Sequence, residues 1–360
     1  MSLYRYPEKL SDTDLKTLRR LDQEIDVPGY EAEQYKRLKT GIVALLSQSG
    51  DTESMAYLRQ VWLRSPERRQ AVALGLAQQP NEENWDYLIR SLPVLESFAV
   101  GEVMGALRTV PLATDDNDAY REVILHGLRM EAQGEDPQPA VDLLTYWAGN
   151  TAVEEPSEGA SKLMAWQRWF AANYPNRPEA VLPKAEESSV WNMETLTEYF
   201  NSTEGRKGNV AAGQVAYTKA QCAKCHRMGQ LGKAIGPDLS SIAKRFTRKE
   251  ALESIMFPSH VISDQYATKR VLTTDGKVLS GILSTNTDGS ITVRDSNLRE
   301  TIVAEQDVDQ VHPSKVSLMP SGLFDNLSAE EIRDMLAYLG FVPPQEVAEA
   351  PHTKPAPKVR

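Results

Sequence analysis

Apolar residues recur at helical spacing through the first half of this chain. Between residues 12 and 201 they fall three or four positions apart, and no convincing strand alternation interrupts them. The run NEENWDYLIRSL shows the pattern at i, i+3, i+4 and i+7, in Trp85, Leu88, Ile89 and Leu92. The spacing predicts a series of short amphipathic helices, each with one face for a core.

Prolines separate these helices. Pro66, Pro80 and Pro93 fall between the periodic runs, where proline suits a first turn and disfavours a helix interior. Short helices joined by short loops predict a HEAT-like α-solenoid of a few irregular repeats over residues 1–185. No fixed-period consensus is visible, so a plain helical bundle remains the alternative. Residues 177–189 have the composition of a linker.

The pattern changes to period two in residues 266–312. The runs YATKRVLTT and KVLSGILST flank Asp275-Gly276, a strong two-residue hairpin signal, and SITVRD, RETIVA and VDQVH follow them. Four or five short strands within these 47 residues predict a small curled β-barrel of SH3-like or Sm-like type.

Helix returns after the strands, at SAEEIRDMLAYLG. Ser328 with Glu331 three positions later forms a capping-box signature, which marks the start of this helix. The following residues, 343–360, are rich in proline and charge and are predicted to be disordered.

Composition and charge narrow the class of protein. The chain has 360 residues, enough for two or three domains, and its 41% hydrophobic and 25% charged residues are ordinary for a globular protein. A net charge of −10 argues against general nucleic-acid affinity, because phosphate binding needs a basic surface. No apolar run has the length of a transmembrane helix, and the polar N-terminus lacks the apolar stretch of a signal peptide.

Both cysteines of the chain lie in QCAKCHRMG, residues 221–229. Cys-x-x-Cys-His is the attachment pattern of c-type haem. Cys222 and Cys225 can reach the two vinyl groups on one edge of the porphyrin, and His226 is then held under the iron as an axial ligand. The motif therefore predicts a covalent haem.

Two other interpretations of the motif stay open. A zinc site could combine the cysteines and His226 with His260 or His312, although structural zinc is usually held by four ligands close together. A redox-active thiol pair should lie between a strand and a helix, whereas residues 209–220 are predicted to be helical.

The second axial ligand decides whether a haem transfers electrons or binds small molecules, and a methionine raises its potential. The candidates after the motif are Met228, Met256, Met319 and Met335. Met228 is too close to His226 to cross the ring, and Met256 and Met335 lie in helical patterns where a core role is the default. Met319 stands in the irregular loop VSLMPSGL, 93 residues beyond His226, or 46 without the strand-rich residues. The strands therefore look like an insertion into a compact helical haem domain.

Two further features agree with a haem pocket. Pro237, in the run GPDL, has a carbonyl that can accept a hydrogen bond from His226 and fix its tautomer. The helix before the motif carries Gly213 and Tyr217, and a glycine lets another helix approach closely. An aromatic side chain of the last helix, Tyr338, can pack against it.

Several runs together resemble the Planctomycetes/Verrucomicrobia-type haem-binding domain, a branch of class I cytochrome c. They are GQVAYTKAQCAKCHRMG, GPDLSSIAKRF, the strand-rich insert and PSKVSLMPSGLFDNLSAEEIRDMLAYL, and they cover residues 210–341. The resemblance implies one covalent haem c per chain. Members of that family often follow HEAT-like repeats, and some accompany propellers resembling sugar dehydrogenases that use pyrroloquinoline quinone.

The resemblance also implies roles for individual residues and an order of domains. Cys222 and Cys225 would be the thioether sites, His226 and Met319 the iron ligands, and Pro237 the carbonyl that orients His226. The expected fold is mainly α, with these parts: a HEAT-like α-solenoid or helical bundle in residues 1–185, a class I cytochrome c domain in 186–265 and 313–342, the inserted SH3/Sm-like barrel in 266–312, and the tail 343–360.

The expected function is a monohaem c-type cytochrome module that carries single electrons between redox partners and has no substrate chemistry of its own. The partner could be a periplasmic sugar or alcohol dehydrogenase. A haem-based ligand sensor with an open distal site and a non-haem scaffold for protein partners are the alternatives. We expect an exported, periplasmic protein, and the missing export signal predicts a mature chain or a part of a longer one.

A basic zone surrounds the motif. Between Arg206 and Glu250 ten basic residues face two acidic ones, a net charge of +8 in a chain that totals −10. Such a zone could steer an acidic redox partner. The alternative is that these lysines and arginines solvate short helices and balance the haem propionates.

Overall fold

A computed structural model describes residues 10–25, 33–153, 161–183 and 190–342. Over these residues the protein is mainly helical, with a small strand-rich region. The predicted disordered tail lies outside the described residues, as do residues 184–189 of the predicted linker. The chain divides into two compact units: unit 1 comprises residues 1–186 and 244–321, and unit 2 comprises residues 187–243 and 322–360.

The described residues contain thirteen α-helices and seven strands. The helices are α1 (Asp12–Ile25), α2 (Glu33–Ser49), α3 (Thr52–Arg64), α4 (Arg69–Ala77), α5 (Glu82–Ile89), α6 (Phe98–Thr109), α7 (Asn117–Gln133), α8 (Gln138–Ala148), α9 (Lys162–Asn173), α10 (Met193–Asn201), α11 (Val210–Lys219), α12 (Arg248–Met256) and α13 (Ala329–Tyr338). The strands are β1 (Arg227–Met228), β2 (Leu231–Gly232), β3 (Lys269–Thr273), β4 (Val278–Thr285), β5 (Ile291–Arg294), β6 (Glu300–Val303) and β7 (Val308–Pro313).

The helices α1–α9 bury one continuous apolar core in unit 1. Its largest fully buried side chains include Trp62, Trp166 and Phe170. The spacing seen in the sequence is confirmed here, because Leu88, Ile89 and Leu92 are all buried. Short 3-10 turns at Pro66–Arg68 and Leu92–Val94 interrupt the helices at two of the prolines. The assignment to HEAT-like repeats remains a prediction.

The strands β3–β7 form one antiparallel sheet in unit 1, in the order β6-β5-β4-β3-β7. The predicted hairpin is confirmed: β3 and β4 pair across a turn in which Gly276 has a φ of 81° and donates to the Thr273 carbonyl at 2.8 Å. A small apolar cluster of Val271, Val293 and Val303 lies on the buried face. A barrel of SH3-like or Sm-like type remains a prediction.

Helix α12 belongs to unit 1 and contacts two connections between the N-terminal helices. The amide of Arg248 donates to Glu67 at 2.9 Å, and Lys249 pairs with Glu96 at 2.7 Å. The predicted haem domain, residues 186–265 and 313–342, is therefore divided between the two units when the chain is grouped by contacts. Its boundaries as a functional domain stay a prediction.

The centre of unit 2 is the packing of α11 against α13. A Cβ on Gly213 would overlap the backbone carbonyl oxygen of Asp334, so only glycine permits this approach. Tyr217 packs against Tyr338, with the rings tilted by 59° and their centroids 5.5 Å apart. The predicted capping box at the start of α13 is confirmed, since the amide of Glu331 donates to Ser328 and the amide of Ser328 donates to Glu331.

Candidate haem-attachment site

The chain makes a tight turn between α11 and the cysteines. After α11 ends at Lys219, Gln221 adopts a left-handed conformation with a φ of 64°, which is uncommon for a residue with a side chain. A 3-10 turn over Cys222–Lys224 follows, and the amide of His226 donates to the carbonyl of Cys222 at 2.9 Å. The motif thus follows a helix and not a strand, unlike the arrangement of a thioredoxin-like thiol pair.

The imidazole of His226 is held by the GPDL segment. Its Nδ1 lies 2.8 Å from the carbonyl oxygen of Pro237, so Nδ1 carries the proton and the other ring nitrogen, Nε2, is left for a metal. Gly236 lies against the same ring, because a Cβ there would stand 2.7 Å from Cε1. Burial lowers the pKa of His226, opposed by the hydrogen bond to Pro237, so the ring is neutral near pH 7.

Backbone contacts fix the turn around this ring. The hydroxyl of Tyr217, a fully buried residue, donates to the carbonyl of His226 at 2.8 Å. The amides of Ile235 and Gly236 donate to the carbonyl of Cys225 at 2.9 and 2.8 Å. The sequence identified Tyr217 only as a packing aromatic; its hydroxyl contact depends on the fold of residues nine positions away.

A second set of contacts joins the GPDL segment to the strand β1. Arg227 donates to the carboxylate of Asp238 at 2.8 Å, and the carbonyl of Arg227 accepts from the amide of Leu239 at 2.8 Å. The amide of Gly229 donates to the hydroxyl of Ser240 at 2.8 Å. Hydrogen bonds from Ser240 and Arg227 lower the pKa of Asp238. In the sequence Arg227 is only one of the ten basic residues around the motif, yet it anchors the segment that carries the Pro237 carbonyl.

The thiols of Cys222 and Cys225 are free and partly buried. Burial raises the pKa of Cys222 to about 11. Burial also raises the pKa of Cys225, opposed by the charges of Lys224 and Lys233. A redox-active pair needs a thiolate stabilised by a lowered pKa, so this site does not favour thiol–disulfide chemistry.

The zinc alternative finds no support in the described part of the chain. Among residues 10–25, 33–153, 161–183 and 190–342, no three His, Cys, Asp or Glu side chains gather as a metal site. His260 accepts a hydrogen bond from Arg121 at 3.0 Å, and His312 contacts Gln310 at 2.8 Å. Each of these imidazoles therefore has a protein partner.

The predicted site residues fall into both units. Cys222, Cys225, His226 and Pro237 come together in unit 2, whereas Met319 lies in unit 1, in the irregular segment after β7. Met319 is partly buried. Met335, on α13, is fully buried, which agrees with the core role expected for it.

The residues of unit 2 fit a covalent haem. Two free thiols stand three positions apart on one turn, and a neutral imidazole beside them keeps Nε2 for iron. A family model described as Cytochrome c matches residues 210–277. This range includes Cys222, Cys225, His226 and Pro237. A cytochrome c domain is present.

This match supports a haem-based electron-transfer role for the cytochrome c domain, and such domains are typically exported. A search of the curated proteins found no match to the chain. In the part of the chain that the structure describes, no helix has the length and apolar character needed to cross a membrane.

Proposed function

We propose that this protein is a monohaem c-type cytochrome that carries single electrons between redox partners. The observation that carries the proposal is the hydrogen bond between His226 Nδ1 and the Pro237 carbonyl, beside the free thiols of Cys222 and Cys225. When bound, haem c supplies one iron centre that accepts and releases a single electron.

Each residue of the site has a separate task in this proposal. The thiols of Cys222 and Cys225 would each add across a vinyl double bond of the porphyrin, and the two thioether bonds would prevent its loss. His226 ligates through Nε2, and the Pro237 carbonyl holds the ring in the required tautomer and orientation, which raises its basicity as a ligand. Burial keeps the imidazole neutral, the form in which it can ligate a metal.

Met319 is the proposed distal ligand. Its support is the loop in which it stands: Met319 is partly buried, Pro320 follows it, and Gly322 has a φ of 70°. A thioether is neutral and soft, so it fills the coordination sphere without adding charge and favours the ferrous state. With both axial positions filled, the iron would have no open site for a gas or a substrate.

The proposal extends to the rest of the chain and to its partners. The domain is of the Planctomycetes/Verrucomicrobia type, with HEAT-like repeats in residues 1–185 and an SH3/Sm-like barrel in residues 266–312. The partner is an acidic redox protein, such as a periplasmic sugar or alcohol dehydrogenase. The support for an acidic partner is a pair of exposed cations whose charges act on the Cys225 thiol, Lys224 and Lys233.

The full chain, expressed with export and a haem-attachment system, provides the direct test. A reduced-minus-oxidised spectrum should show a sharp α-band, and the haem should survive extraction by acid and acetone. The double variant Cys222→Ala/Cys225→Ala, made in the same way, should lose covalent haem. A wild-type protein without covalent haem, or with stoichiometric zinc by metal analysis, would overturn the proposal and favour a non-haem scaffold.

A second measurement separates electron transfer from gas sensing. If Met319 fills the distal position, the ferric protein should show the far-red band of methionine–iron ligation, and the ferrous protein should bind carbon monoxide only slowly and weakly at neutral pH. Met319→Ala should remove the band and open the site to carbon monoxide. Rapid binding of carbon monoxide to the wild type would instead indicate a ligand sensor.

A further inference from the structure

The loop that carries Met319 is tied to other parts of unit 1 by its backbone. The amide of Ser317 donates to the hydroxyl of Ser259 at 3.0 Å, and the amide of Met319 donates to the hydroxyl of Ser317 at 3.2 Å. Thr268, just before β3, accepts with its carbonyl from the amide of Ser314 at 2.9 Å and donates from its hydroxyl to the carbonyl of Val316. Ser259 therefore anchors the loop from outside, two residues before Met319.

Ser259 lies beside His260 in the turn that follows α12, and His260 is fastened to the N-terminal helices. Arg121, on α7, donates from one terminal nitrogen to His260 Nδ1 at 3.0 Å. Because a guanidinium can only donate, Nδ1 is the acceptor and the imidazole carries its proton on Nε2. Burial, and the charges of Arg121 and Arg129, lower the pKa of His260 to about 3, in keeping with a neutral acceptor.

Arg121 is also linked to the Met319 loop by a second set of contacts. It is only 3% exposed, and its Nε donates to the carbonyls of Pro178 and Glu179, each at 3.2 Å. The side chain of Glu179 in turn pairs with Lys315, in the Met319 loop, at 3.1 Å. One buried guanidinium thus reaches the loop through His260 and Ser259, and through Glu179 and Lys315.

The donor geometry of the guanidinium explains why an arginine stands at position 121. A buried guanidinium is costly unless its fixed fork of donors meets acceptors, and here it meets two carbonyls, an imidazole and the carboxylate of Glu122 at 3.5 Å. A lysine has the charge but not the planar fork, so it cannot serve the same acceptors together. Fixing three segments far apart in sequence is a task suited to this side chain.

We propose that Arg121 is a positioning residue for Met319, and that the N-terminal helices of this chain hold the distal-ligand loop through the contacts Arg121–His260 and Ser259–Ser317. The inference rests on the proposed function, in which Met319 ligates the iron. A loop already held in place loses less conformational freedom when its methionine ligates, so ligation becomes more favourable. This gives the helical half of the chain a role in setting the redox centre.

The test uses the haem-loaded full chain and three variants. Ser259→Ala removes only the acceptor of the Ser317 amide. Arg121→Gln removes the guanidinium, and Arg121→Lys keeps the positive charge without the planar set of donors. Ser263→Ala is the matched control, because Ser263 is an exposed serine of the same segment. The readouts are hydrogen–deuterium exchange of residues 314–321, the far-red band of the ferric protein, and carbon monoxide binding to the ferrous protein.

We expect Ser259→Ala to speed exchange in the loop and to raise carbon monoxide affinity by about fivefold, the effect of one lost hydrogen bond. Arg121→Gln should do more, with a weakened far-red band; Arg121→Lys should not restore it, and Ser263→Ala should match the wild type. If the wild type has the α-band and the far-red band but Ser259→Ala and Arg121→Gln leave loop exchange and carbon monoxide binding unchanged, the inference is wrong while the proposed function stands. A wild type that lacks both the α-band and the far-red band overturns both the inference and the proposed function. Should Arg121→Gln fail to fold, Ser259→Ala decides alone.

Discussion

His226 donates its Nδ1 proton to the carbonyl oxygen of Pro237 across 2.8 Å, and Gly236 lies against the same imidazole. Two adjacent residues therefore do different things to one ring: Pro237 sets its tautomer, and Gly236 gives it the space to reach that carbonyl. The carbonyl is itself immobilised by the contacts of Arg227 and Asp238. The orientation of the proximal ligand is thus a property of the backbone as much as of the histidine.

The first prediction concerns Gly236. In Gly236→Ala the new methyl group would stand 2.7 Å from Cε1 of His226, so the ring or the backbone beside Pro237 must shift, which disturbs the contact between them. Loss of such a supporting contact typically costs about 10- to 100-fold in metal affinity. We expect less covalent haem per protein, a shifted midpoint potential, or both, measured by the pyridine haemochrome spectrum and by potentiometric titration.

Gly105→Ala is the control for this prediction. Gly105 lies in α6, and no neighbouring atom of the described residues comes within 4 Å of the position that the methyl group would take, so alanine is favourable at this helical site. The variant should leave haem content and potential unchanged. Normal haem content and potential in Gly236→Ala would show that the imidazole does not depend on this contact.

Local signals in the sequence were sufficient for the elements that surround the site. The hairpin at Asp275-Gly276 and the capping box at Ser328 depend on residues within a few positions of each other, and both are confirmed. The contact between His226 and Pro237 could also be predicted, because they are eleven positions apart and a haem-ligating histidine needs an acceptor for its other ring nitrogen. Contacts between residues close in sequence can thus be predicted without knowledge of the fold.

Contacts between distant segments could not be read in this way. Arg121 and His260 are 139 positions apart, and neither residue belongs to a motif, so nothing in the sequence joins them. The attachment of α12 to the N-terminal helices has the same origin, because Lys249 and Glu96 are ordinary surface residues until the fold pairs them. For this reason the sequence does not indicate that residues 244–321 group with the N-terminal helices.

The second prediction concerns the crossing of α11 and α13. Gly213→Ala would place a methyl group into the backbone of Asp334, so the helices must separate, and the packed rings of Tyr217 and Tyr338 with them. Overpacking of this kind costs about 1–3 kcal/mol of the free energy of unfolding. Chemical denaturation should show this loss, whereas Gln214→Ala, at the next and exposed position of α11, should change stability by less than about 0.5 kcal/mol. Equal stability of the two variants would contradict the close approach.

The third prediction concerns the cations nearest the attachment site. Lys224 and Lys233 are exposed and lie close enough to affect Cys225. If they steer an acidic redox partner, Lys224→Glu/Lys233→Glu should slow bimolecular electron transfer by about tenfold or more at low ionic strength, with a smaller effect at high salt. Stopped-flow kinetics with an acidic acceptor protein measures this. Lys269→Glu, an exposed charge reversal on β3, is the control, and equal rates in all three proteins would reject steering by these lysines.

The last prediction concerns pH and the stability of unit 1. His126 on α7 is buried, and its Nε2 lies 2.7 Å from the carbonyl of Leu92. Burial, aided by the charges of Arg129 and Lys249, lowers its pKa to about 4, below the ordinary 6.5 of an unfolded chain. The unfolded state therefore binds the proton more readily, so this contribution to stability is complete above pH 6.5 and is lost as the pH falls towards 4, by roughly 3 kcal/mol in all.

In His126→Gln the free energy of unfolding should fall less steeply between pH 6.5 and 4, as denaturant titrations at several pH values would measure. A wild-type slope in His126→Gln would show that the buried imidazole is not the group responsible.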